Sequence, residues 1–143
     1  MALPTPAPGL VISYEYLWSA ERARGKQEAG KVRPCVIVLR IQRMGEAVRI
    51  AVAPITHRQP DSTTPALDIP HRVKTHLKLD AERSWIVLNE INEFGWPGFH
   101  LRPIRRGSKD LAYGYLPPKL FRRVVTLIRE NWRQSGGKIT QRD

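Results

Sequence analysis

The sequence predicts a mainly β fold, a compact barrel or roll, that ends in one amphipathic α-helix. About six short strand-like segments follow one another at a spacing of roughly 10 residues, which is typical of barrels and sandwiches. Helical periodicity appears only after Pro117. The chain of 143 residues is 41% hydrophobic, which suits one packed core and is short for two domains. We therefore predict a single domain over residues 1–143.

The first half of the chain predicts an extended lead-in followed by a β-hairpin. Residues 1–8 contain three prolines and predict an extended segment. Apolar and polar residues alternate at 10–18, which predicts a strand, whereas the polar segment 19–31 predicts a surface loop. The continuous apolar segment 34–39 predicts a strand that is buried on both faces. A turn then leads to a return strand at 48–53.

We expect the whole barrel to span residues 9–116. Its second half is predicted to consist of shorter segments. Composition and turn-forming residues assign their type. In chain order they are a loop at 57–65, a strand at 66–69, a short helix at 71–80, a strand at 84–88, a turn region at 92–98 and a strand at 111–116.

The C-terminal helix is predicted over residues 117–134. Proline is tolerated in the first turn of a helix, and Pro117 and Pro118 occupy that place. The apolar residues that follow at helical spacing are Leu120, Phe121, Val124, Val125, Ile128 and Trp132. The basic residues that lie mostly off this stripe are Arg122, Arg123, Arg129 and Arg133. Two glycines end the helix, and we expect residues 135–143 to form a disordered tail.

Charge and cysteine content indicate the kind of partner and the compartment. The chain has 24 Lys and Arg against 13 Asp and Glu, a formal net charge of +11, which favours a polyanionic or an acidic protein partner. The single cysteine, Cys35, excludes an intrachain disulfide and suits a reducing compartment. Without a signal-peptide pattern or an apolar run long enough to span a bilayer, we expect a cytoplasmic protein that uses no membrane.

Known cofactor motifs are absent from the sequence. One Cys and four His cannot build a zinc ribbon or finger, and no H-E-x-x-H motif occurs. The chain also lacks a P-loop. Cys35 lies within an apolar strand, which favours a small core residue over a nucleophile. We expect no metal and no cofactor.

Two segments at the ends of the predicted hairpin strands can support chemistry. A flexible loop that contains Glu28 leads to Arg33 at the start of the first hairpin strand. The return strand continues into Pro54-Ile-Thr56-His57. Because the start of one antiparallel strand lies near the end of its partner, Arg33 and Thr56 can be neighbours. The guanidinium of Arg33 matches phosphate oxygens.

These segments together resemble the PemK/MazF family of type II toxin–antitoxin toxins, in its plasmid-maintenance-toxin-like branch. The resemblance covers roughly residues 8–132. It rests on Pro8-Gly9-x-Val11-Ile12, Gly30-x-x-Arg33-Pro34, Pro54-Ile-Thr56, Ser84-Trp-Ile-Val-Leu88-Asn-Glu-Ile91 and the closing amphipathic helix.

The resemblance implies a fold, an activity and partners. The fold is an SH3-like barrel of the CcdB/MazF type, and the family is usually homodimeric. The activity is metal-independent cleavage of single-stranded RNA, often messenger RNA, and a cognate antitoxin protein neutralises it. The family's functional Arg corresponds to Arg33, its Thr or Ser to Thr56, and its acidic loop residue to Glu28. His57 departs from the family, where a small polar residue is common at that position.

The reaction implied by the resemblance needs a base, a cation and a proton donor. The 2′-OH attacks the adjacent phosphorus, so positive charge must stabilise the phosphorane and a donor must protonate the leaving 5′-oxygen. Arg33 suits the charge, and Thr56 suits orientation of a phosphate oxygen. Glu28 or His57 is the candidate base.

Basic and aromatic residues beside these segments are candidates for RNA binding. Unpaired bases stack on aromatic rings, and Trp18 and Trp96 lie next to loops. Lys31 and Arg58 are basic residues adjoining the two segments. Two other functions remain open. One is a CcdB-like, non-enzymatic inhibitor of DNA gyrase, and the other is a catalytically silent family member that only binds nucleic acid.

Overall fold

A computed structural model describes residues 3–26 and 31–142. It confirms a mainly β fold with a long C-terminal helix. The described residues form eight strands and three helices: β1 (Leu10–Glu15), α1 (Ser19–Ala23), β2 (Val32–Ile41), β3 (Arg49–Thr56), β4 (Ala66–Asp68), α2 (His71–His76), β5 (Trp85–Val87), β6 (Glu90–Gly95), β7 (Ala112–Tyr115), α3 (Pro118–Ser135) and β8 (Lys138–Gln141).

The strands belong to one sheet whose pairing does not close on itself. Its main order is β4-β5-β3-β2-β1-β7, and β6 pairs with both β3 and β8. All pairs are antiparallel except β6 with β8. The central strand β3 has β2 on one side, while its other edge carries β6 along the first half and β5 along the second. The end of β3 therefore lies where three parts of the sheet meet.

The β2–β3 hairpin is buried on both faces over Cys35–Ile37 and Ile50–Thr56, as its apolar sequence predicts, but Leu39 at the end of the predicted strand is 50% exposed. Val36 pairs with Ala53, and both belong to a cluster that also contains Ile55. We call this the helix-side cluster, because α2 and α3 cover it through Val73, Leu77, Leu120, Phe121, Val124, Leu127 and Ile128. The alternate pair of β2 and β3 residues, Ile37 and Val52, faces the opposite way.

The opposite face of the hairpin packs against aromatic residues. Ile37 and Val52 belong to a second cluster with Cys35, Tyr14 and Phe94, which we call the aromatic cluster. The rings of Tyr14 and Phe94 stack with their centroids 4.6 Å apart. Cys35 is fully buried here, and burial raises the pKa of its thiol well above the usual range. It is thus the inert core residue that the sequence predicts.

Two predictions for polar segments were wrong. The predicted loop 19–31 begins with the short helix α1, in which Glu21 accepts a hydrogen bond from the Trp18 N–H at 3.1 Å. One helical turn is too short to produce a periodic signal. The predicted turn region 92–98 lies partly within β6. There the buried amide of Asn92 bonds both the N–H and the carbonyl of Leu17, so a polar residue occupies a strand interior.

The prediction of a disordered C-terminal tail was also wrong. α3 extends to Ser135, and residues Lys138–Gln141 form β8, which pairs in parallel with β6. Arg142 follows β8 and is only 5% exposed. Its Nη1 donates to the Glu15 carbonyl at 2.6 Å and to the Asn92 side-chain oxygen at 3.1 Å. This C-terminal segment has little apolar character, and polar contacts hold it against the sheet.

Candidate active site

The start of β2 and the end of β3 form one rim of the sheet. The register pairs Cys35 with Pro54 at this end. Extending the antiparallel register by two residues places Arg33 beside Thr56, as the sequence predicts. Residues two apart in a strand share a face, so both side chains lie on the face of the aromatic cluster.

Arg33 has an unusual environment for a strand residue. Its side chain is half-buried, and its guanidinium carbon lies 5.1 Å from the centre of the Trp18 ring. Its Nε is buried and has no hydrogen-bond partner among the described residues. A buried donor without an acceptor costs free energy, which an oxyanion bound at this position would recover.

Thr56 is nearly buried, at 9% exposure, and its hydroxyl already holds the local backbone. Its Oγ1 accepts a hydrogen bond from the N–H of Arg58 at 3.1 Å. Since a hydroxyl can donate one proton while it accepts, Thr56 can still donate to a ligand oxygen. In the pairing of β3 with β5, Thr56 lies opposite Trp85. The guanidinium carbon of Arg83 lies 5.1 Å from the centre of the Trp85 ring.

A pocket of about 390 Å³ opens at the same rim, and we call it the rim pocket. Its wall is strongly basic, and Asp80 is the single carboxylate among the described residues that line it. The basic and titratable lining residues are Lys31, Arg33, His57, Lys78 and Arg105. Ile55, Leu79 and Tyr113 form apolar wall on the side of the helix-side cluster. Thr56 does not line this pocket, because it alternates with Ile55 and points to the other face of β3.

His57 is held between two carboxylates that sequence reasoning missed. Its Nε2 lies 2.7 Å from Asp80 Oδ2, and its Nδ1 lies 3.0 Å from Glu82 Oε2. An imidazole donates from both nitrogens only when both carry protons. His57 would therefore have to break one of these contacts to exchange a proton with a ligand.

A buried lysine, Lys74, holds Asp80 in place through a hydrogen bond. Lys74 is 3% exposed, and its Nζ donates to Asp80 Oδ1 at 2.9 Å and to Ser84 Oγ at 2.8 Å. Desolvation acts to raise the pKa of Asp80, but the hydrogen bond from Lys74 and the charges of His57 and Lys74 outweigh it and leave the pKa lowered. Asp80 is thus an ionised support for His57. Only tertiary structure brings it there, since no sequence motif joins the two residues.

The predicted RNA-binding residues fall into two groups. Lys31 and Arg58 are exposed, whereas Trp18 and Trp96 are half-buried against the aromatic cluster. Trp18 packs edge-on against Tyr16 at 5.1 Å, and Trp96 stacks near Phe94 at 6.3 Å. Only part of each tryptophan ring is therefore open to a base. Glu28, the other candidate base, lies outside the described residues.

Within residues 3–26 and 31–142, no group of three or more His, Cys, Asp or Glu side chains is arranged to hold a metal ion. No helix in the same ranges has the length and apolar character needed to cross a membrane. Comparisons with protein-family models, curated proteins and solved structures find no match for this chain.

Proposed function

We propose that this protein is a toxin of the PemK/MazF type that cleaves single-stranded RNA without a metal ion. The observation that carries the proposal is the buried Nε of Arg33, which has no hydrogen-bond partner among residues 3–26 and 31–142, at the rim where β2 begins and β3 ends. Thr56 ends the neighbouring strand, and a basic pocket lined by Arg33 opens at the same rim. The mainly β sheet covered by a C-terminal helix is compatible with the SH3-like barrel that this family uses.

The proposed reaction is attack of a ribose 2′-OH on the adjacent phosphorus. The P–O bond to the 5′-oxygen breaks as the new P–O bond forms, which leaves a 2′,3′-cyclic phosphate and a 5′-hydroxyl end. Arg33 stabilises the charge on the non-bridging oxygens through its fixed guanidinium fork. Thr56 donates a hydrogen bond to one of these oxygens and so orients the phosphate.

His57 protonates the leaving 5′-oxygen in this scheme. Its two ring nitrogens contact Asp80 and Glu82, and one of these contacts must open for the proton transfer. Glu28 accepts the proton of the attacking 2′-OH, since a carboxylate only five residues before Arg33 in the sequence can reach the same phosphate. Arg33 takes no part in proton transfer, because a guanidinium is a poor proton donor near neutral pH.

The partners follow from the same proposal. Single-stranded RNA is the substrate, held through Lys31, Arg58 and the open parts of Trp18 and Trp96. A cognate antitoxin would neutralise the protein by covering the basic rim, and an acidic segment would suit that surface. The toxin would act as a homodimer in the cytoplasm.

The test is incubation of the purified protein with a mixed pool of single-stranded RNA in excess chelator, followed by mapping of the ends. We expect cuts that leave 5′-hydroxyl and cyclic phosphate ends, and none with Arg33→Ala. Arg43→Ala is the control, because Arg43 is exposed in the distant β2–β3 turn. Binding of RNA without cleavage would identify a silent nucleic-acid-binding member, and inhibition of DNA gyrase without cleavage would identify a CcdB-like inhibitor. Either result would overturn the proposal.

A further inference from the structure

The solvent side of α3 carries a row of basic side chains that contact nothing else. Every one of them is exposed, and none makes a hydrogen bond or an ion pair with another residue in the described ranges. Glu130 is the one acidic residue of the helix. We call this row the outer face of α3, and its members are Lys119, Arg122, Arg123, Arg129 and Arg133.

Helical spacing places these residues on one side of α3, opposite the side that packs on the sheet. The opposite side is anchored by Val124, which is fully buried. The outer face extends from Lys119 to Arg133, about 21 Å at 1.5 Å per residue. All other exposed residues of α3 are polar or proline, so the face offers charge without an apolar anchor. Such a surface suits a uniform polyanion better than a protein segment, which needs apolar contacts for affinity.

The outer face and the rim pocket belong to the same side of the sheet. α3 packs on the helix-side cluster, and the pocket wall contains Ile55 from that cluster together with Leu79 and Tyr113, which pack against it. The basic residue that follows β8 faces elsewhere, because the guanidinium of Arg142 is buried beside Tyr14. Among described residues 136–142 only Lys138 is both basic and exposed, so most of the surface charge of the C-terminal region lies on α3.

We propose that the outer face of α3 binds the sugar–phosphate backbone of the RNA outside the cleavage site. This inference rests on the proposed function, since it takes RNA to be the substrate. Contacts from arginine and lysine to phosphates release counterions and do not read sequence. The outer face therefore increases affinity for long RNA and leaves the choice of cleavage position to the rim.

The experiment compares two triple variants of equal net charge. Arg122→Gln/Arg129→Gln/Arg133→Gln removes three charges from the outer face, and glutamine preserves helix propensity. Arg43→Gln/Arg72→Gln/Lys109→Gln removes three exposed charges elsewhere and is the control. The probe is a fluorescent single-stranded RNA with methylated 2′-hydroxyls, which cannot undergo 2′-OH attack. Affinity is measured by anisotropy between about 50 and 200 mM salt.

We expect the outer-face variant to reduce the slope of log affinity against log salt by about 2, at roughly 0.7 per phosphate contact, and the control to change it little. On cleavable RNA the outer-face variant should raise KM, with kcat and the cut positions unchanged. Equal losses in the two variants would show that only net charge matters and would overturn the inference. Unchanged RNA binding by the outer-face variant would also overturn it.

The same assays separate this inference from the proposed function. If wild-type protein fails to cut RNA while the outer-face variant still loses salt-dependent binding, the docking surface stands and the endoribonuclease does not. If wild-type protein cuts RNA and the two triple variants behave alike, the opposite holds.

Discussion

Two arginines of this molecule, one at the rim and one at the C-terminus, occupy different environments. Arg33 is half-buried and lines an open pocket, and its buried Nε lacks a partner in the described chain. Arg142 is buried away from that pocket; its Nη1 donates two hydrogen bonds, to β1 and β6, while its Nη2 is buried without a partner among the described residues. Access to a pocket that an anion can enter suits binding or catalysis, whereas hydrogen bonds to strand atoms suit stability. The rim and the C-terminal segment should therefore respond to substitution in different ways.

The largest expected effect is at Arg33. Arg33→Ala should lower the RNA cleavage rate by about 10²–10³-fold, the usual cost of removing one donor to a developing oxyanion. Arg33→Lys should recover only part of the rate, because an ammonium lacks the planar fork. Single-turnover cleavage measures the catalytic rate of each variant, and urea denaturation measures its free energy of unfolding. A variant that loses stability in proportion to activity would mean that Arg33 supports the fold.

The second-largest effect is expected at Arg142, where a substitution should lower stability and leave the cleavage rate unchanged. Arg142→Met removes the guanidinium and its two hydrogen bonds, so the free energy of unfolding should fall by about 2–3 kcal/mol. Urea denaturation measures this, and Arg43→Met is the control for loss of an exposed charge. Cleavage by the folded fraction should keep the wild-type rate. Wild-type stability in Arg142→Met would contradict an anchoring role for the C-terminal segment.

The difference between these regions also explains what the sequence could predict of the fold. The β2–β3 hairpin follows from contiguous apolar residues and a short turn, so its signal is local. β8 has no such signal, since Ile139 is exposed and the strand is held by pairing with β6 and by the contacts of Arg142. A segment that gains its order from polar contacts with distant residues resembles a disordered tail when only its own residues are considered.

In the candidate site, too, some contacts follow from local sequence and others only from tertiary structure. Antiparallel register alone predicts that Arg33 and Thr56 are neighbours, and the observed β2–β3 pairing extends to Cys35 and Pro54, two residues short of them. The support of His57 by Asp80 and Glu82 could not be predicted, because α2 and the segment after it must first fold back over the rim. The burial of the Lys74 ammonium could not be predicted either, because basic residues in a polar helix are usually exposed.

A smaller effect is expected at the joint between α3 and β8. The Trp132 indole donates to the Leu88 carbonyl at 2.7 Å, and Gly137 packs directly on its ring, leaving no room for a Cβ. Gly137→Ala should therefore lower the free energy of unfolding by about 1–2 kcal/mol through overpacking. Thermal unfolding measures the change, with Gln134→Ala on the exposed end of α3 as control. Equal melting temperatures for the two variants would show that the joint can shift without cost.

The smallest effect concerns stability at the rim and depends on pH. The folded-state pKa of Asp80 lies below its unfolded value of about 3.9. A depressed carboxyl pKa stabilises the fold above the unfolded pKa, and this increment is lost as pH falls through the folded pKa. Because the side chain is half-exposed, solvent screening limits the increment to at most about 1 kcal/mol.

Asp80→Asn should therefore be less stable than wild type near pH 7, and the gap should close as the pH is lowered below about 4. Urea denaturation across this range measures the gap. Lys74→Met/Asp80→Asn serves as the matched variant, because it removes the buried ammonium that Asp80→Asn leaves without a carboxylate. A gap that stays constant from pH 7 to pH 3 would mean that the charge of Asp80 contributes nothing to the stability of the rim. Asp80 would then act only by holding His57, which its effect on the cleavage rate would reveal.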